Sequence, residues 1–460
     1  MLSKEQNDII AKCGPGTIMG NLMRQYWIPA MISEELLHPD CPPVRVRLLN
    51  ENLIAFRATS GKVGLIDDYC PHRGASMFFG RNEEEGLRCV YHGWKFDTSG
   101  QCVDMMNEPA ESSFKNKVRI KAYPTQERNG IIWIYMGSRE EPPPLPDLEA
   151  NMVADATPAR GASRNNITLN NYNWMQAIEN NMDTAHNPIL HFGAVTPENF
   201  VFGERYGSAA DDVYHMVKER AARFLVHDHE VGCSYGAFRP TDDGNAYWRT
   251  MHWLLPFYTM SPVPKLGSTS LMSATVPVDD SHCMSIGVSI VVGEGALPRN
   301  VEGRNPSGGR NTLPNTSDWL GRFRNGLWEE SKNDFGIDRQ MQHEKPPTVR
   351  GFTGLPDVNT QDEAMRWSQG RADDDGIVDR SREHLGTTDA MIIRVRRKLL
   401  AAAKALNEHG AVPPGVDEPR FYRMRSGWVV LPKNTDWWEA TRDQREAFRK
   451  EAPVPLTTTG

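Results

Sequence analysis

The chain has 460 residues, a net charge of −7 and 39% apolar residues, including 12 Trp, 16 Phe and 12 Tyr. That length allows two or three domains, and the composition is that of a globular enzyme rather than a disordered or fibrous chain. No block of Lys and Arg marks a nucleic-acid binder, no apolar run approaches a bilayer span, and the polar start Met1–Gln6 has no apolar signal core.

The first expected element is a helix. Ser3 and Gln6 stand at capping-box spacing before Ile9-Ile10. Gly14-Pro15-Gly16 breaks it, and a second short helix is expected to run to about Trp27. Short apolar runs with turn residues between them follow: Val44–Leu48, Leu53–Phe56, Val63–Ile66 and Ile131–Tyr135. They predict a compact all-β module between about 40 and 137. The proline run Pro142-Pro143-Pro144-Leu145-Pro146 reads as a stiff, solvated connector and a domain boundary. Beyond it, Asn173–Asn187 is expected as a helix, and Ala246–Leu254, Ser268–Val276 and Met284–Val292 as strands. Residues 294–315 read as a mobile surface loop. The clearest helix is Asp389–Leu406, with Met391, Ile392, Val395, Leu399, Leu400 and Ala403 on one stripe.

Seven cysteines, an odd and sparse set, fit a reducing cytoplasm better than a secreted disulfide scaffold. Four residues among them and the histidines form matched pairs, Cys70-Pro71-His72 and Cys89-Val90-Tyr91-His92. A Rieske [2Fe-2S] cluster needs this division: a cysteine from each loop on one iron, a histidine from each loop on the other. Gly74 and Gly93 are expected to bring backbone N–H groups to the cluster sulfurs. A zinc site is the other reading, but Cys-x-His is an unusual zinc spacing. Cys13, Cys41, Cys102, Cys233 and Cys283 have no partner at ligand spacing and read as unligated.

The stretches Cys70–Ala75 and Cys89–Asp97 resemble the cluster loops of Rieske non-haem iron aromatic ring-hydroxylating oxygenase large subunits, most of all the phthalate-dioxygenase-like group. The resemblance implies an α+β chain. Its parts would be an N-terminal helical segment (1–40) packed on the catalytic domain, an all-β Rieske domain (41–140), and a helix-grip catalytic domain (150–460) with an antiparallel sheet and C-terminal helices.

A second constellation follows. On one continuous helix, Glu179, Asp183 and His186 share a narrow arc, with Asn180 at its border. Three ionisable groups beside Trp174, Ile178 and Met182 are costly to bury without a cation. Pro188 forces a turn that lets His191 swing back toward His186. Two histidines and a carboxylate make the facial triad of iron(II) oxygenases; a helix with a solvated polar face is the plain alternative. The string also resembles the family's mononuclear-iron motif. Resemblance makes Asp362 the third ligand, with Asp357, Glu363 and Asp373-Asp374-Asp375 as competitors. It also gives Asp183 the role of bridging a cluster histidine of one subunit to an iron histidine of the next; an ordinary contact with His186 is the alternative. Asn180 stands with Asp183 among the catalytic candidates.

For substrate, Arg249 alternates with apolar neighbours on its strand and either faces inward, to grip an aromatic carboxylate, or outward to water. Arg205, Arg239 and His252 are weaker candidates. The implied function is an oxygenase component that hydroxylates an aromatic acid of the phthalate or benzoate type with O2, by cis-dihydroxylation. A monooxygenase or O-demethylase with the same metal sites is the alternative. The sequence has no dinucleotide fingerprint and no plant-type cysteine spacing, so a separate NAD(P)H-dependent flavin/iron-sulfur reductase is expected as partner. The resemblance further implies a homotrimer or stacked trimers, and no nucleic acid or membrane partner is expected.

Overall fold

The computed structural model describes residues 2–152, 164–200, 210–293, 318–370 and 376–450. The expected loop 294–315, Arg205 and the Asp373–Asp375 triplet lie outside the described residues.

The first helix, Lys4–Ala11, starts at the expected capping box: Gln6 N donates to Ser3 Oγ (3.1 Å), and Ser3 N to Gln6 Oε1 (3.0 Å). The second, Ile18–Met23, ends sooner than expected. Trp27–Ile32 is a strand paired with Ile131–Tyr135, bulged between Pro29 and Met31. Pro29 biases Ile28 to extended backbone and is tolerated because this strand lies at a sheet edge.

Two four-stranded sheets form the β module. One holds Val44–Leu48, Glu51–Arg57, Val63–Asp67 and Ala122–Tyr123; the other holds Arg81–Glu83, Gly86–Arg88, Trp94–Phe96 and Cys102–Met105. The run Leu53-Ile54-Ala55-Phe56 is continuous because both its faces are buried. Leu53 and Ala55 join the main core of the molecule, while Ile54 and Phe56 join Leu87 and Phe96 in a smaller core beneath the cluster loops.

The proline connector is packed rather than solvated. Pro143 and Pro146 are buried, Trp27 Nε1 donates to Pro143 O (2.5 Å), and Arg128 donates to Pro146 O.

The rest is built on an eight-stranded antiparallel sheet. Its order is Arg164–Asn170, Cys283–Val291, Thr269–Pro277, Tyr258–Met260, Asn245–Leu254, Gly232–Pro240 and Arg223–His229, with Gly427–Pro432 also paired to Asn245–Leu254. The long helix Ala390–His409 buries Met391, Val395, Leu399, Leu400 and Ala403, the expected stripe less the partly buried Ile392. The fold is thus an all-β cluster module followed by an antiparallel sheet gripped by helices. No helix of the described residues is long and apolar enough to cross a membrane.

Candidate metal centres

The two cluster loops are built alike. Gly74 N donates to Cys70 O and Gly93 N to Cys89 O, both at 2.9 Å; Cys70 N donates to Ala75 O (2.9 Å) and Cys89 N to Trp94 O (2.8 Å). Gly74 (φ +74°) and Gly93 (φ +76°) take the left-handed conformation that closes each turn. Their own N–H groups bond the cysteine carbonyls, and in the first loop the turn lets the His72 and Arg73 backbone N–H groups reach the Cys70 sulfur, as expected. The turns bring both sulfurs together, buried, below two imidazoles at the rim whose ring centroids are 4.4 Å apart. Burial, with the neighbouring Cys89 adding to it, pushes the Cys70 thiol up to about 11 against the pull of the His72 and Arg73 backbone N–H groups. His72 Nδ1 is buried without a hydrogen-bond partner. Two adjacent buried thiols and an orphaned imidazole nitrogen are a donor set that iron–sulfur chemistry satisfies.

The second site departs from the one-helix reading. Trp174–Met182 is helical, capped by Asn173, whose Oδ1 accepts from Met175 N (3.0 Å). It stops at Asp183 because that carboxylate captures the Ala185 amide (2.7 Å), an Asx turn that competes with continuing the helix. Pro188 then opens a wide π-helical turn, Asn187–His191.

Glu179 therefore points away from His186. Its cations are Arg380 (Nε to Oε1 and Oε2, 3.0 Å each) and Arg396 (Nε to Oε1, 2.6 Å). Burial favours its neutral form, yet the two guanidiniums hold it below its ordinary value. Asn180 does not face the histidines' shared point either; its Oδ1 accepts from Arg366 Nε (2.7 Å).

His186, His191 and Asp362 do converge: one ligand atom from each lies within 4.8 Å of the others. Asp362 Oδ1 is 3.3 Å from His186 Nε2 and 3.5 Å from His191 Nε2, and remains buried without a well-formed hydrogen bond. Three donors aim at a common point rather than at each other. Each Nδ1 is engaged behind: His186 with Asp183 Oδ2 (3.2 Å), His191 with Gln361 Oε1 (2.8 Å). The Gln361 amide nitrogen donates to Val349 O (2.7 Å) and Thr353 Oγ1 (3.0 Å), so its oxygen must be the acceptor. His191 is thereby fixed as the Nδ1–H tautomer, with the Nε2 lone pair facing Asp362.

Charge follows the same plan. Burial opposes ionisation of Asp362, but His186, Arg366 and His191 outweigh it and hold the carboxyl at about 2. Burial alone would lower His186, yet Asp183 and Asp362 raise it to about 9; a cation at the shared point takes over what that proton does. His191 is lowered, chiefly by burial. The donor set fits a divalent iron.

One helix, Val358–Gln369, organises this centre. Asp357, a competing ligand candidate, is its N-cap. Glu363, another, accepts from Tyr172 OH (3.0 Å). Gln361 and Arg366 were not anticipated as site residues. Arg366 stands one turn beyond Asp362 (Nη2 to Oδ2, 4.0 Å), and that i,i+4 spacing was a readable signal. Gln361, next to Asp362, gave none.

On the substrate side, Arg249 and Arg239 are buried. His252 is locked between Ser234 Oγ (2.5 Å) and Arg425 O (3.0 Å). The five remaining cysteines are free and buried.

Fold and sites together define an oxygenase subunit with two separate metal centres. A family model described as Rieske [2Fe-2S] domain matches residues 26–124, and one described as LigXa C-terminal domain like matches residues 134–454. The chain is 39% identical to the 3-chlorobenzoate-3,4-dioxygenase oxygenase subunit of Comamonas testosteroni, covering 96% of this chain and 98% of that one. It is 31% identical to the phthalate 4,5-dioxygenase oxygenase subunit of Pseudomonas putida, covering 95% and 94%. The crystal structure of dicamba monooxygenase bound to dicamba shares the fold, with a TM-score of 0.52 at 18% identity over 85% of this chain and 100% of that one. The chain belongs to the Rieske non-haem iron aromatic ring-hydroxylating oxygenases, as a large subunit of the phthalate-dioxygenase-like group. It is an oxygen-incorporating oxidoreductase whose cofactors are a Rieske [2Fe-2S] cluster and a mononuclear iron.

Proposed function

We propose that this oxygenase component uses electrons from a separate NAD(P)H-dependent reductase and O2 to cis-dihydroxylate an aromatic carboxylate of the benzoate or phthalate type. The observation that carries the reading is the convergence of His186 Nε2, His191 Nε2 and Asp362 Oδ1, the donor set of a facial triad. The two full-length relatives named above are called, respectively, a chlorobenzoate and a phthalate dioxygenase subunit, which supports the acid class.

On this reading Cys70 and Cys89 hold one cluster iron, and His72 and His92 the other. His186, His191 and Asp362 hold the mononuclear iron. When bound, the metals supply one-electron transfer and oxygen activation. The protein's own part is positional. Asp183 and Gln361 fix the rings of His186 and His191. Asn180 acts indirectly, by holding Arg366 against Asp362. Arg249, buried, anchors the substrate carboxylate.

Asp183 also remains partly exposed, and Val90, Tyr91 and Met106 stand exposed around the cluster rim. Both features support a head-to-tail ring of subunits, a trimer or a stacked pair, in which Asp183 meets the rim of a second copy. The division into 1–40, 41–140 and 150–460 belongs to the same proposal, as does a cytoplasmic location.

The test is product analysis under labelled O2 with the reductase present, over a panel of benzoates and phthalates. Two label atoms in a ring cis-diol are expected. A single atom, or loss of a methyl group from a methoxy substrate, would move the assignment to a monooxygenase or O-demethylase.

A further inference from the structure

The strands Gly232–Pro240 and Asn245–Leu254 pair with Ala237 opposite Arg249, Arg239 opposite Tyr247 and Tyr235 opposite Met251. Opposed residues, and those two along, share a face. Tyr235, Arg239, Tyr247 and Arg249 therefore surround the small side chain of Ala237. The helix Ala210–Lys218 lies over this face. Asp212, His215 and Met216, at i, i+3 and i+4, all turn toward it. Asp212 Oδ2 is 3.5 Å from Arg249 Nη1, His215 stacks on Tyr247 (ring centroids 4.6 Å apart), and Met216 Sδ touches the Arg249 guanidinium. Val213, Met216 and Val217 of the helix pack on Phe192 and Val195, just after His191. The Tyr235 hydroxyl meets Thr184, next to Asp183. This polar face thus borders the turn that carries the iron histidines.

Arg239, Arg249 and Asp212 are at most 2% exposed. Yet Arg239 Nη1 and Nη2, Arg249 Nε, Asp212 Oδ1 and the hydroxyl of Tyr247 have no hydrogen-bond partner. Buried charged groups keep partners unless a ligand supplies them. Two guanidiniums against one carboxylate leave a charge of one positive unit among the described residues of this face. The nearby Glu219 offers Arg239 Nε only its backbone oxygen (2.7 Å) and turns its carboxylate to the Ala221 amide (2.9 Å). Burial raises the Asp212 carboxyl to about 6 against the pull of Arg249 and Arg239, so at neutral pH it is mostly ionised.

We propose that Asp212 is a specificity-determining residue: it takes up one of the two arginine charges, so that the Arg239–Arg249 face accepts one carboxylate of an aromatic monoacid and disfavours a dicarboxylate. The inference rests on the aromatic-carboxylate reading above and narrows it to the benzoate type. A second carboxylate on the ring would face Asp212 with only one net positive charge to share. In Asp212→Asn, which is isosteric, the face carries two positive units and that penalty disappears.

The test is anaerobic calorimetric titration of the holoenzyme with benzoate, phthalate and neutral benzamide. Wild type is expected to bind benzoate more tightly than either of the others. Asp212→Asn should shift the benzoate-to-phthalate affinity ratio toward phthalate by about tenfold, the equivalent of roughly 1.4 kcal/mol; comparing the ratio between the two proteins cancels the steric difference between the acids. Arg239→Met should weaken benzoate and leave benzamide unchanged. An unmoved ratio in Asp212→Asn, or a wild type that prefers phthalate, overturns the proposal. The wild-type preference decides alone if the variant does not fold. If the selectivity holds but no labelled diol forms, the reaction assignment fails and the binding inference stands. If the diol forms and the ratio is unmoved, only the Asp212 inference fails.

Discussion

His186 and His191 owe their ligand geometry to the atoms behind them. An imidazole presents one lone pair, and the partner of its other nitrogen decides which. Asp183 and Gln361 make that decision here, and Gln361 is itself locked by two donor bonds. Gln361→Leu removes the acceptor and leaves a buried N–H unsatisfied. We expect its affinity for the mononuclear iron to fall by about 10–100-fold, read by iron titration, with the visible spectrum of the cluster unchanged. Unchanged iron affinity would mean that packing alone holds His191. At this scale the sequence was legible where a side chain has a single use. The four cluster donors and the pair His186 and His191 stand out because thiols and imidazoles at fixed spacing have few other roles. Glu179 misled because a carboxylate near histidines reads the same whether its cation is a metal or a distant arginine. Arg380 and Arg396, about two hundred positions downstream, are invisible to a local pattern.

The helix Trp174–Met182 is the element on which the second centre turns. Its cap Asn173 reaches back to Ala11 O (3.0 Å) and Asp280 O (2.7 Å), Trp174 Nε1 bonds Ile10 O (3.2 Å), and Glu179 ties it to Arg380 and to Arg396 of the long C-terminal helix. Removing the Glu179 charge strands the buried Arg380 guanidinium, while Arg396 keeps Glu383. Glu179→Gln should lose about 3–5 kcal/mol of stability at neutral pH by denaturant unfolding. The sign with pH is fixed by the direction of the shift. Glu179 is held below its ordinary value in the folded state, so its contribution is present above the unfolded value of 4.5 and is lost as the pH falls through the lower folded one. The gap between wild type and variant should therefore close with acidification below about 4.5. A gap independent of pH would show that charge is not what Glu179 contributes. Elements whose apolar pattern is long were readable, the helix Ala390–His409 above all. The three-residue strands of the second small sheet were not, because three residues cannot display a period. Trp27–Ile32 and the end of the iron helix at Asp183 were misread because strand pairing and an Asx turn, both outside helix periodicity, settle them.

Across the whole molecule, the two centres sit in separate units that share one apolar core, since Leu53, Ala55 and Leu65 of the β module pack in the same cluster as Trp174, Ile178 and Trp253. The cluster rim and Asp183 both reach the surface of the chain. Asp183→Asn keeps the shape of the side chain and weakens its hold on His186 and, on the proposed bridging role, on a second copy's rim histidine. We expect full iron content, an unchanged cluster spectrum and near loss of reductase-driven turnover; full turnover would remove the bridging role. The widest claim is that mixed sulfur and nitrogen donors on two like-built loops gather a Rieske cluster. The most direct measurement is electron paramagnetic resonance of anaerobically reconstituted, dithionite-reduced protein, with iron counted on the same sample. The expected result is the signal of a cluster with two histidine ligands and about three irons per chain, two in the cluster and one mononuclear. An all-cysteine type of signal, or none at full iron loading, contradicts it.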